Sequence, residues 1–532
     1  NAVVEDLPMV LETIKAEFRP HISIPLFIIA AQLILRLTSR LALREPASIR
    51  RLPSLPVWAK AAASVGFALL LTTGLRGRLT GRPLQRADAG VTGDPFLNEM
   101  VFNAWYAGHY AISNYRRTRA ASGYKSFLPD GNVVAAAEAA FGSVPNATRL
   151  DDFTRRTARG TVAPRPNHVF LIVMESNDAW PLQDEFEDLR LTEGLSNLGK
   201  DGLLIRKFVS ASSGTITSLS AIITGQYNAG VTTHLRPTAR SPYPTSIAPI
   251  FKRLGYKTRM FYSGLITWQG MQTLCINQGF DEVCGGSLME DPDDTAHWGV
   301  DDEFLWKFID RHIAADDAPS FNLVLTRSYH PPYALDVYAK GFPVRQVPDN
   351  VLDIWDRQHR LEIYGHQWYS NRELERFVRG FAARHPLSLF AVTGDHYSRK
   401  CMRRNPSLYE TTAVPCLLYG PQILRLDGID ADSICGDHLD ILPTLIERSA
   451  PIGFEYHAVG RDLLDADPAE RFGRCATGVV IGRDFIVRTS APNRIEPLPF
   501  PVAPDAVAPD AAALVRDFNA RFGYSWFRIM RG

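Results

Sequence analysis

The sequence predicts an α/β fold in which a mostly parallel sheet is flanked by helices. From about residue 166, compact apolar segments rich in β-branched or aromatic residues alternate with helical segments. Such alternation is typical of parallel sheets, because their strands are buried on both faces by the connecting helices. In addition, residues that bind metals or transfer protons directly follow several of the apolar segments. The pattern therefore predicts an α/β domain with a polar site at one edge of its sheet.

The individual elements are recognisable by composition. Six segments have the character of buried strands: HVFLIVM (168–174), LLIRKFV (203–209), YKTRMFY (256–262), FNLVLT (321–326), LSLFAVT (387–393) and CLLYG (416–420). Helical segments lie between them at 218–224, 301–313 and 371–385. This order predicts a catalytic domain over residues 166–490.

Composition narrows the class of protein. The chain has 532 residues, of which 45% are hydrophobic and 22% are charged, so most of it should be globular. Its formal net charge of +1 does not provide the basic field typical of nucleic-acid-binding proteins. We therefore expect no nucleic-acid partner.

The N-terminal part has the features of a membrane region. Residues 22–35 and 61–75 are apolar runs slightly shorter than a spanning helix, and their polar flanks can extend them. Six basic residues and one acidic residue lie between 36 and 60, which places that loop on the cytoplasmic side. Four arginines between 76 and 86 weaken this orientation. The alternative is a pair of buried core helices.

These features divide the chain into four predicted regions. Residues 1–90 form a membrane region with about two transmembrane helices, and the initial Asn suggests that the sequence begins inside a longer protein. Residues 91–165 form a helical linker before the domain at 166–490. Residues 491–532 form a Pro/Ala linker and a C-terminal amphipathic helix.

The six cysteines leave two alternatives open. No pair has CxxC spacing, which weakens a structural zinc or thioredoxin-like interpretation. Either all six are reduced core thiols, or an extracytoplasmic domain contains disulfides. In the second case the pairs closest in sequence are Cys275 with Cys284 and Cys401 with Cys416.

Candidate metal ligands follow three of the predicted strands. Glu175 comes directly after the first strand, and Asp395 and His396 follow the strand at 387–393. His330 follows the strand at 321–326. Because the carboxyl ends of parallel strands meet at one sheet edge, these side chains should lie together and could hold a divalent cation.

The segment SSGTITSLSAIITG (212–225) carries a candidate nucleophile. Gly214 and Thr215 lie where the strand at 203–209 turns into a helix, and the free N–H groups there favour a phosphate. Thr215 would need a base or a metal to become nucleophilic. The alternative is that Thr215 and Thr217 merely cap the helix.

The same residues resemble the sulfatase branch of the alkaline phosphatase superfamily. That branch has the motif C/S-x-P-S-R-x-x-x-x-T-G, and residues 215–225 read T-I-T-S-L-S-A-I-I-T-G in the same register. Thr215 falls on the nucleophile, Ser218 on the motif serine and Leu219 on the arginine. A threonine nucleophile is similar to that of lipoteichoic acid synthases and phosphoglycerol transferases, and more distantly of phosphoethanolamine transferases.

Four further segments extend the resemblance. VMES (173–176) and GDHY (394–397) look like the two metal-ligand strands of these enzymes. HWGVDDEFL (297–305) is similar to their W-G-x-x-D segment, and SYHPPY (328–333) to their N-H-x-P-F/Y segment.

The resemblance implies a set of site residues. The metal ligands would be Glu175, Thr215, Asp395 and His396. The catalytic residues would be Thr215 and His330. The substrate-binding residues would be Gly214, Trp268, Trp298 and His330. In the loop after 256–262, Trp268 matches the family tryptophan, but no histidine or arginine equivalent is present.

The resemblance also implies an activity and a location. The cofactor would be a divalent metal such as manganese, with magnesium or zinc as alternatives. A phosphoglycerol headgroup would pass from phosphatidylglycerol to Thr215 and then to a glycan or polyol-phosphate acceptor. The enzyme would be multi-pass in a bacterial cytoplasmic membrane, with a periplasmic or extracellular catalytic domain. Two alternatives are a phosphate or sulfate ester hydrolase and a catalytically inactive lipid-binding membrane protein.

Overall fold

The structure is a computed structural model. It describes residues 131–532 except for 161–163, 291–298, 317, 332, 352, 355–360, 466–471 and 501–509, together with the isolated residues Pro56, Trp58, Gly66, Ile112, Phe127 and Leu128. The chain divides into two units, Asn1–Leu84 and Gln85–Gly532. Apart from Gly66, the apolar segments 22–35 and 61–75 lie outside the described residues. In the described ranges, no helix is sufficiently long and apolar to cross a bilayer.

A central sheet organises the described part of the second unit. Its seven strands, within the described ranges, are β2 (His168–Met174), β3 (Leu203–Ile205), β5 (Lys257–Tyr262), β6 (Glu282–Gly285), β7 (Ser320–Leu325), β8 (Ser388–Gly394) and β9 (Cys416–Tyr419). They are ordered β3-β9-β8-β2-β7-β5-β6. Strand β9 runs antiparallel to both neighbours, whereas the other pairings are parallel. The predicted fold class is confirmed.

The sheet is covered on both faces because its strands carry apolar residues in both directions. In β2, Val169, Leu171 and Val173 contribute to one apolar cluster, whereas Phe170 and Ile172 contribute to the other. Every residue of β2 is buried. This explains why the central strands are continuous apolar runs rather than alternating polar and apolar sequences.

Helices pack against the apolar clusters on both faces of the sheet. The first cluster is covered by α3 (Thr215–Thr224), α4 (Ile247–Arg253), α5 (Met271–Asn277) and α8 (His438–Glu447). The second cluster is covered by α2 (Glu193–Gly199), α6 (Asp302–Ala314) and α7 (Leu361–Arg384). The remaining described α-helices are α1 (Val133–Phe141) and α9 (Ala511–Arg531).

Smaller strand groups complete the fold. The pairs are β1 (Arg155–Thr157) with β11 (Glu455–His457), and β4 (Lys207–Val209) with β10 (Cys435–Asp437). A four-stranded antiparallel sheet comprises β12 (Gly473–Cys475), β13 (Val479–Ile481), β14 (Phe485–Arg488) and β15 (Glu496–Pro497).

The amphipathic helix expected near the C-terminus is α9, and it packs on the domain. Its Phe522 ring stacks on Tyr227 with centroids 4.6 Å apart. Asp517 accepts hydrogen bonds from Arg474 on β12 and from Arg521. Apolar stacking and the ion pair between Asp517 and Arg474, which is partly buried, therefore both hold α9 in place.

Most predicted strands occur within one residue of the expected bounds, but the single strand predicted at 203–209 is wrong. The chain there forms β3, which pairs with β9, and β4, which pairs with β10 in a separate sheet. Arg206 separates them, and its guanidinium bonds to Asp432 near the surface. A polar residue therefore interrupts what the apolar pattern suggested was one continuous strand.

All six cysteines are buried and none forms a disulfide, so the disulfide alternative is wrong for this structure. Cys275 belongs to the apolar cluster on one face of the sheet, whereas Cys284 belongs to the cluster on the other face. Likewise, Cys401 and Cys416 lie in different clusters. The sheet and its side chains keep apart cysteines that are close in sequence.

Candidate active site

Strand register brings the predicted ligands to one level. Met174, the last residue of β2, is paired with Gly394, the last residue of β8. The next residues along these strands are Glu175 and Asp395. The Asp395 N–H donates to the Met174 carbonyl at 3.0 Å, and the Glu175 N–H donates to the Thr326 hydroxyl at 3.0 Å. The parallel alignment of three adjacent strands therefore fixes the backbone of the site.

Gly394 allows this close approach. A Cβ atom at this position would lie 2.2 Å from the carbonyl oxygen of Asn177. Real Cβ atoms do not approach a backbone oxygen so closely, so a larger residue would displace the turn after β2 or the residue after β8. The glycine that precedes the aspartate is therefore a packing requirement of the site.

Three ligand groups converge at this edge. One ligand atom from each of Glu175, Asp395 and His396 lies within 4.8 Å of the others, and all three residues are buried. Two backbone N–H groups, from Ser176 and His396, donate to Asp395 Oδ1 at 2.7 Å. Its other oxygen, Oδ2, is buried without a hydrogen-bond partner among the described residues. A divalent cation fits this donor set, since it would satisfy that oxygen.

The tautomer of His396 suits a ligand. Its Nδ1 lies 2.8 Å from the Tyr397 carbonyl, and because a carbonyl only accepts, Nδ1 carries the proton. In the neutral ring, Nε2 then presents a lone pair, 3.3 Å from Asp395 Oδ2. Backbone hydrogen bonding therefore orients the imidazole toward the cluster.

The electrostatics of the cluster are unfavourable to two bare carboxylates. Burial, with the negative charge of Glu175 nearby, raises the pKa of Asp395 to about 6. Burial lowers the pKa of His396, but Asp395 and Glu175 outweigh it and the net shift is upward. The site thus stabilises positive charge, whether a proton or a bound cation supplies it.

Thr215 lies beside this cluster as the first residue of α3. Its Oγ1 is 3.2 Å from His396 Nε2 and 3.4 Å from Glu175 Oε2, and the residue is 9% exposed. The N-cap is Gly214, which has no side chain to cap the helix. Thr217 Oγ1 donates to the Gly214 carbonyl at 2.8 Å rather than accepting from a helix N–H. The arrangement disfavours the alternative in which these threonines serve only as caps.

The helix N-terminus provides donors for an anion. The first N–H groups of an α-helix, here those of Thr215 to Thr217, have no intrahelical acceptor. They lie at the same end of α3 as the Thr215 hydroxyl, and the helix dipole adds positive potential there. Phosphate oxygens on an ester bound at Thr215 would find these donors.

The rest of the T-x-x-S-L…T-G segment is structural. Ser218 Oγ donates to the Ser212 carbonyl at 3.0 Å. Leu219, at the position of the motif arginine, is fully buried in the first apolar cluster. Gly225 ends α3 with φ of 65°, and a Cβ there would lie 2.4 Å from the Thr245 carbonyl oxygen. Leu219 therefore supplies packing instead of a charge.

A pocket opens above Thr215. The residues that line it are Glu175, Thr215, Tyr262, Leu265, Trp268, Arg327 and His330. Trp268 and His330 are thus in the same pocket as the candidate nucleophile. Trp298 lies outside the described residues. The roles of the predicted site residues remain predictions, but the fold brings the described ones together.

Hydrogen bonds orient His330 at the pocket. Its Nδ1 is 2.6 Å from the Pro331 carbonyl, so Nδ1 carries the proton in the neutral ring and Nε2 does not. Its backbone N–H donates to the Arg327 carbonyl at 2.9 Å. This turn after β7 holds the imidazole at the pocket wall.

Arg327 is a pocket residue that the sequence reasoning missed. The loop after β5 contains Trp268 but no arginine, whereas Arg327 enters from the end of β7, the strand that pairs with β5. Its side chain is 8% exposed. Its position directly after a predicted buried strand (321–326), level with the other ligand-bearing strand ends, is the signal that could have revealed it.

Comparison with known proteins agrees with this geometry. The sequence model of the sulfatase family matches residues 167–449, more than half of the chain. The chain belongs to the sulfatase family. All of the described site residues, from Glu175 to His396, lie within the matched region.

Two solved structures share the fold of this sulfatase-family chain. A protein of the alkaline phosphatase superfamily from Vibrio parahaemolyticus has 20% identity and a TM-score of 0.53, with 74% of this chain and 98% of that chain covered. The lipoteichoic acid synthase LtaP from Listeria monocytogenes has 14% identity and a TM-score of 0.52, with 69% and 93% covered. The sulfatase family predicted from the motifs is confirmed.

Proposed function

We propose that this protein is a metal-dependent phosphotransferase that moves a phosphoglycerol headgroup from phosphatidylglycerol to a glycan or polyol-phosphate acceptor. The observation that carries the proposal is the position of Thr215. Its hydroxyl lies at a helix N-terminus, 3.2 Å from His396 Nε2 and 3.4 Å from Glu175 Oε2. An imidazole and a carboxylate beside one hydroxyl are the kind of partners that a nucleophilic threonine requires.

Four residues would hold the metal. Glu175, Asp395 and His396 supply two carboxylates and an imidazole, and the Thr215 oxygen is adjacent to them. When bound there, a divalent cation such as manganese lowers the pKa of a neighbouring hydroxyl and offsets negative charge on phosphoryl oxygens. Magnesium and zinc are compatible with parts of the same donor set.

In the first half-reaction, Thr215 Oγ1, as the alkoxide that remains after its proton has passed to solvent, attacks the phosphorus of the lipid phosphodiester. The bond from phosphorus to the diacylglycerol oxygen breaks, and the phosphoglycerol group remains on Thr215 as a phosphodiester. The N–H groups of Thr215 to Thr217 hold phosphoryl oxygens. His330, at the pocket wall, donates a proton to the leaving oxygen.

In the second half-reaction, the roles reverse. An acceptor hydroxyl enters the pocket and loses its proton to the unprotonated Nε2 of His330. Its oxygen attacks the phosphorus, the bond to Thr215 Oγ1 breaks, and the headgroup leaves on the acceptor. The same residue thus serves as acid in one step and base in the next.

A lipid donor and an extracytoplasmic site complete the proposal. The apolar segments at 22–35 and 61–75 would anchor the enzyme in a bacterial cytoplasmic membrane, with the catalytic domain in the periplasm or outside the cell. The resemblance of residues 215–225 to the nucleophile segment of lipoteichoic acid synthases and phosphoglycerol transferases motivates phosphatidylglycerol as the donor.

Release of diacylglycerol tests this function. The protein would be incubated with manganese and vesicles of phosphatidylglycerol, beside the Thr215→Ala and Thr217→Ala variants. We expect release by the wild type and by Thr217→Ala, because Thr217 bonds to the Gly214 carbonyl and does not face the cluster. Full release by Thr215→Ala would contradict the proposal.

The alternative function is a hydrolase of the same fold, which membership of the sulfatase family favours. In that case a soluble aryl phosphate or sulfate ester would be cleaved without lipid, and water would be the final acceptor. The segment at 215–225 has no cysteine or serine at the nucleophile position from which formylglycine could form, which weakens sulfate-ester hydrolysis. A catalytically inactive lipid-binding protein is disfavoured, because Glu175, Thr215, Asp395 and His396 are all present and lie together.

A further inference from the structure

We propose that Arg327 selects the donor headgroup by charge, so that the pocket favours an uncharged polyol such as glycerol over a headgroup with an ammonium group. This inference rests on the proposed function, because it concerns the headgroup in the same pocket. It goes beyond that function by assigning specificity to one residue.

The backbone holds Arg327 in position. It lies two residues past the end of β7, and its N–H donates to Asp302 Oδ1 at 3.1 Å. Asp302 also accepts from the Ser328 N–H at 3.1 Å, so one buried carboxylate fixes the turn. The arginine therefore enters the pocket from a rigid strand end rather than from a long loop.

The Arg327 guanidinium is buried, and one of its donors is not satisfied by the described residues. The Arg327 side chain is 8% exposed, and its Nε atom is buried with no hydrogen-bond partner in the described part of the chain. One terminal nitrogen reaches Asp301 Oδ1, but at 3.5 Å this contact is long. A buried donor without an acceptor is costly, so a ligand that supplies an acceptor oxygen is favoured.

The chemistry of the two headgroups differs at this point. The hydroxyl oxygens of a glycerol headgroup accept hydrogen bonds, whereas an ammonium group only donates them. An ammonium placed in the pocket would also be repelled by the guanidinium, because like charges a few ångströms apart interact strongly where water is excluded. Arg327 therefore favours binding of a glycerol headgroup and disfavours binding of a headgroup with an ammonium group.

Aromatic residues in the pocket could bind an ammonium headgroup if Arg327 did not oppose it. Tyr262 and Trp268 line the same pocket, and aromatic faces can bind an ammonium group. Among the lining residues that the structure describes, Glu175 is the one carboxylate, and it belongs to the metal cluster. Asp301 contacts the Arg327 guanidinium itself at 3.5 Å and is not one of these lining residues, so the charge of Arg327 decides the preference.

Binding of small headgroup analogues tests the inference without requiring transfer. Dissociation constants would be measured by calorimetry, with manganese present, for glycerol phosphate, phosphoethanolamine and inorganic phosphate. The proteins would be the wild type, Arg327→Gln, Arg327→Lys and the control Arg311→Gln, whose side chain is 62% exposed on α6. Urea unfolding midpoints would verify that each variant is folded.

The expected pattern is specific. The wild type and Arg311→Gln should bind glycerol phosphate about tenfold more tightly than phosphoethanolamine, and Arg327→Gln should reduce this ratio to about twofold. Arg327→Lys should keep a preference, since it keeps the charge. An unchanged ratio in Arg327→Gln, or an equal weakening of all three ligands including inorganic phosphate, would overturn the inference.

Failure of the proposed function would look different. If the binding ratio behaves as expected but phosphatidylglycerol releases no diacylglycerol, the transferase proposal fails and charge selection by Arg327 stands. If diacylglycerol is released but Arg327→Gln leaves the binding ratio unchanged, the transferase proposal stands and the role of Arg327 fails.

Discussion

Replacing Asp395 by asparagine should make the metal-free protein more stable against unfolding. It should also reduce the stabilisation that manganese provides. Asp395 is fully buried, and burial together with Glu175 raises its pKa to about 6, from an ordinary value of 3.8. A pKa raised by about two in the folded state means that ionised Asp395 costs on the order of 3 kcal/mol of folding free energy above pH 6. The site therefore holds a charge at the expense of stability.

Asparagine removes most of this cost. Its amide oxygen can still accept the two N–H groups, from Ser176 and His396, that now donate to Oδ1 at 2.7 Å. Hydrogen bonds to a neutral amide are weaker than those to a carboxylate, and this loss offsets part of the gain in stability. We expect Asp395→Asn to raise the free energy of unfolding by about 1–2 kcal/mol at pH 8 in the presence of a chelator.

The pH dependence gives a second signature. Because the folded pKa of Asp395 is raised, its penalty is absent below its ordinary pKa and fully present above its folded pKa of about 6. The pKa of His396 is also raised by its two carboxylate neighbours, so its stabilising contribution is lost as pH rises through its folded pKa. Both effects make the metal-free wild type more stable at pH 5 than at pH 8, and Asp395→Asn should flatten this difference.

Added manganese should reverse the order of stability of the wild type and Asp395→Asn. A ligand that binds only the folded state at 100 times its dissociation constant adds about 2.7 kcal/mol, so manganese should stabilise the wild type but not Asp395→Asn. The assay is urea unfolding at pH 5 and pH 8, with chelator or with manganese. The reasoning is refuted if Asp395→Asn is less stable than the wild type in chelator at pH 8 and is stabilised equally by manganese.

Three further results are expected. His330→Gln should lower transfer by about 10²–10⁴-fold, because the proton carrier is lost, while manganese still stabilises the variant in urea unfolding; near-normal transfer would exclude His330 as acid or base. Gly394→Ala should cost about 1–3 kcal/mol and weaken manganese stabilisation, because its Cβ would meet the Asn177 carbonyl oxygen at 2.2 Å; unchanged unfolding and metal response would show that this contact is not limiting. Maleimide labelling of the unfolded, unreduced protein should modify all six cysteines, since none forms a disulfide in the structure, and a smaller number would indicate disulfides.

The fold class was predictable because it depends on patterns that are local in sequence. Strands buried on both faces are continuous apolar runs, and parallel connections require helices between them. The split of 203–209 was not predictable in the same way. Leu203 and Lys207 look equally compatible with one strand, and the chain separates there because β9 and β10 lie in different sheets. Pairing partners are a property of the tertiary structure.

The metal cluster was predictable because strand ends converge. Glu175 and Asp395 each follow an apolar run, and parallel register then places them side by side. Arg327 was missed because the resemblance directed attention to the loop after β5, whereas the arginine enters from β7. The cysteine alternatives could not be resolved from sequence, since separation along the chain does not reveal that Cys275 and Cys284 lie on opposite faces of the sheet.

The most direct test of the proposed mechanism is the intact mass of the protein after incubation with manganese and phosphatidylglycerol, beside Thr215→Ala. We predict a mass increase of about 154 Da, that of a phosphoglycerol group, on the wild type and none on the variant. With phosphatidylethanolamine we predict little or no increase of about 123 Da, the mass of a phosphoethanolamine group. An equal 154 Da adduct on Thr215→Ala would contradict the assignment of Thr215 as the nucleophile, and release of diacylglycerol with no adduct on either protein would contradict a long-lived covalent intermediate.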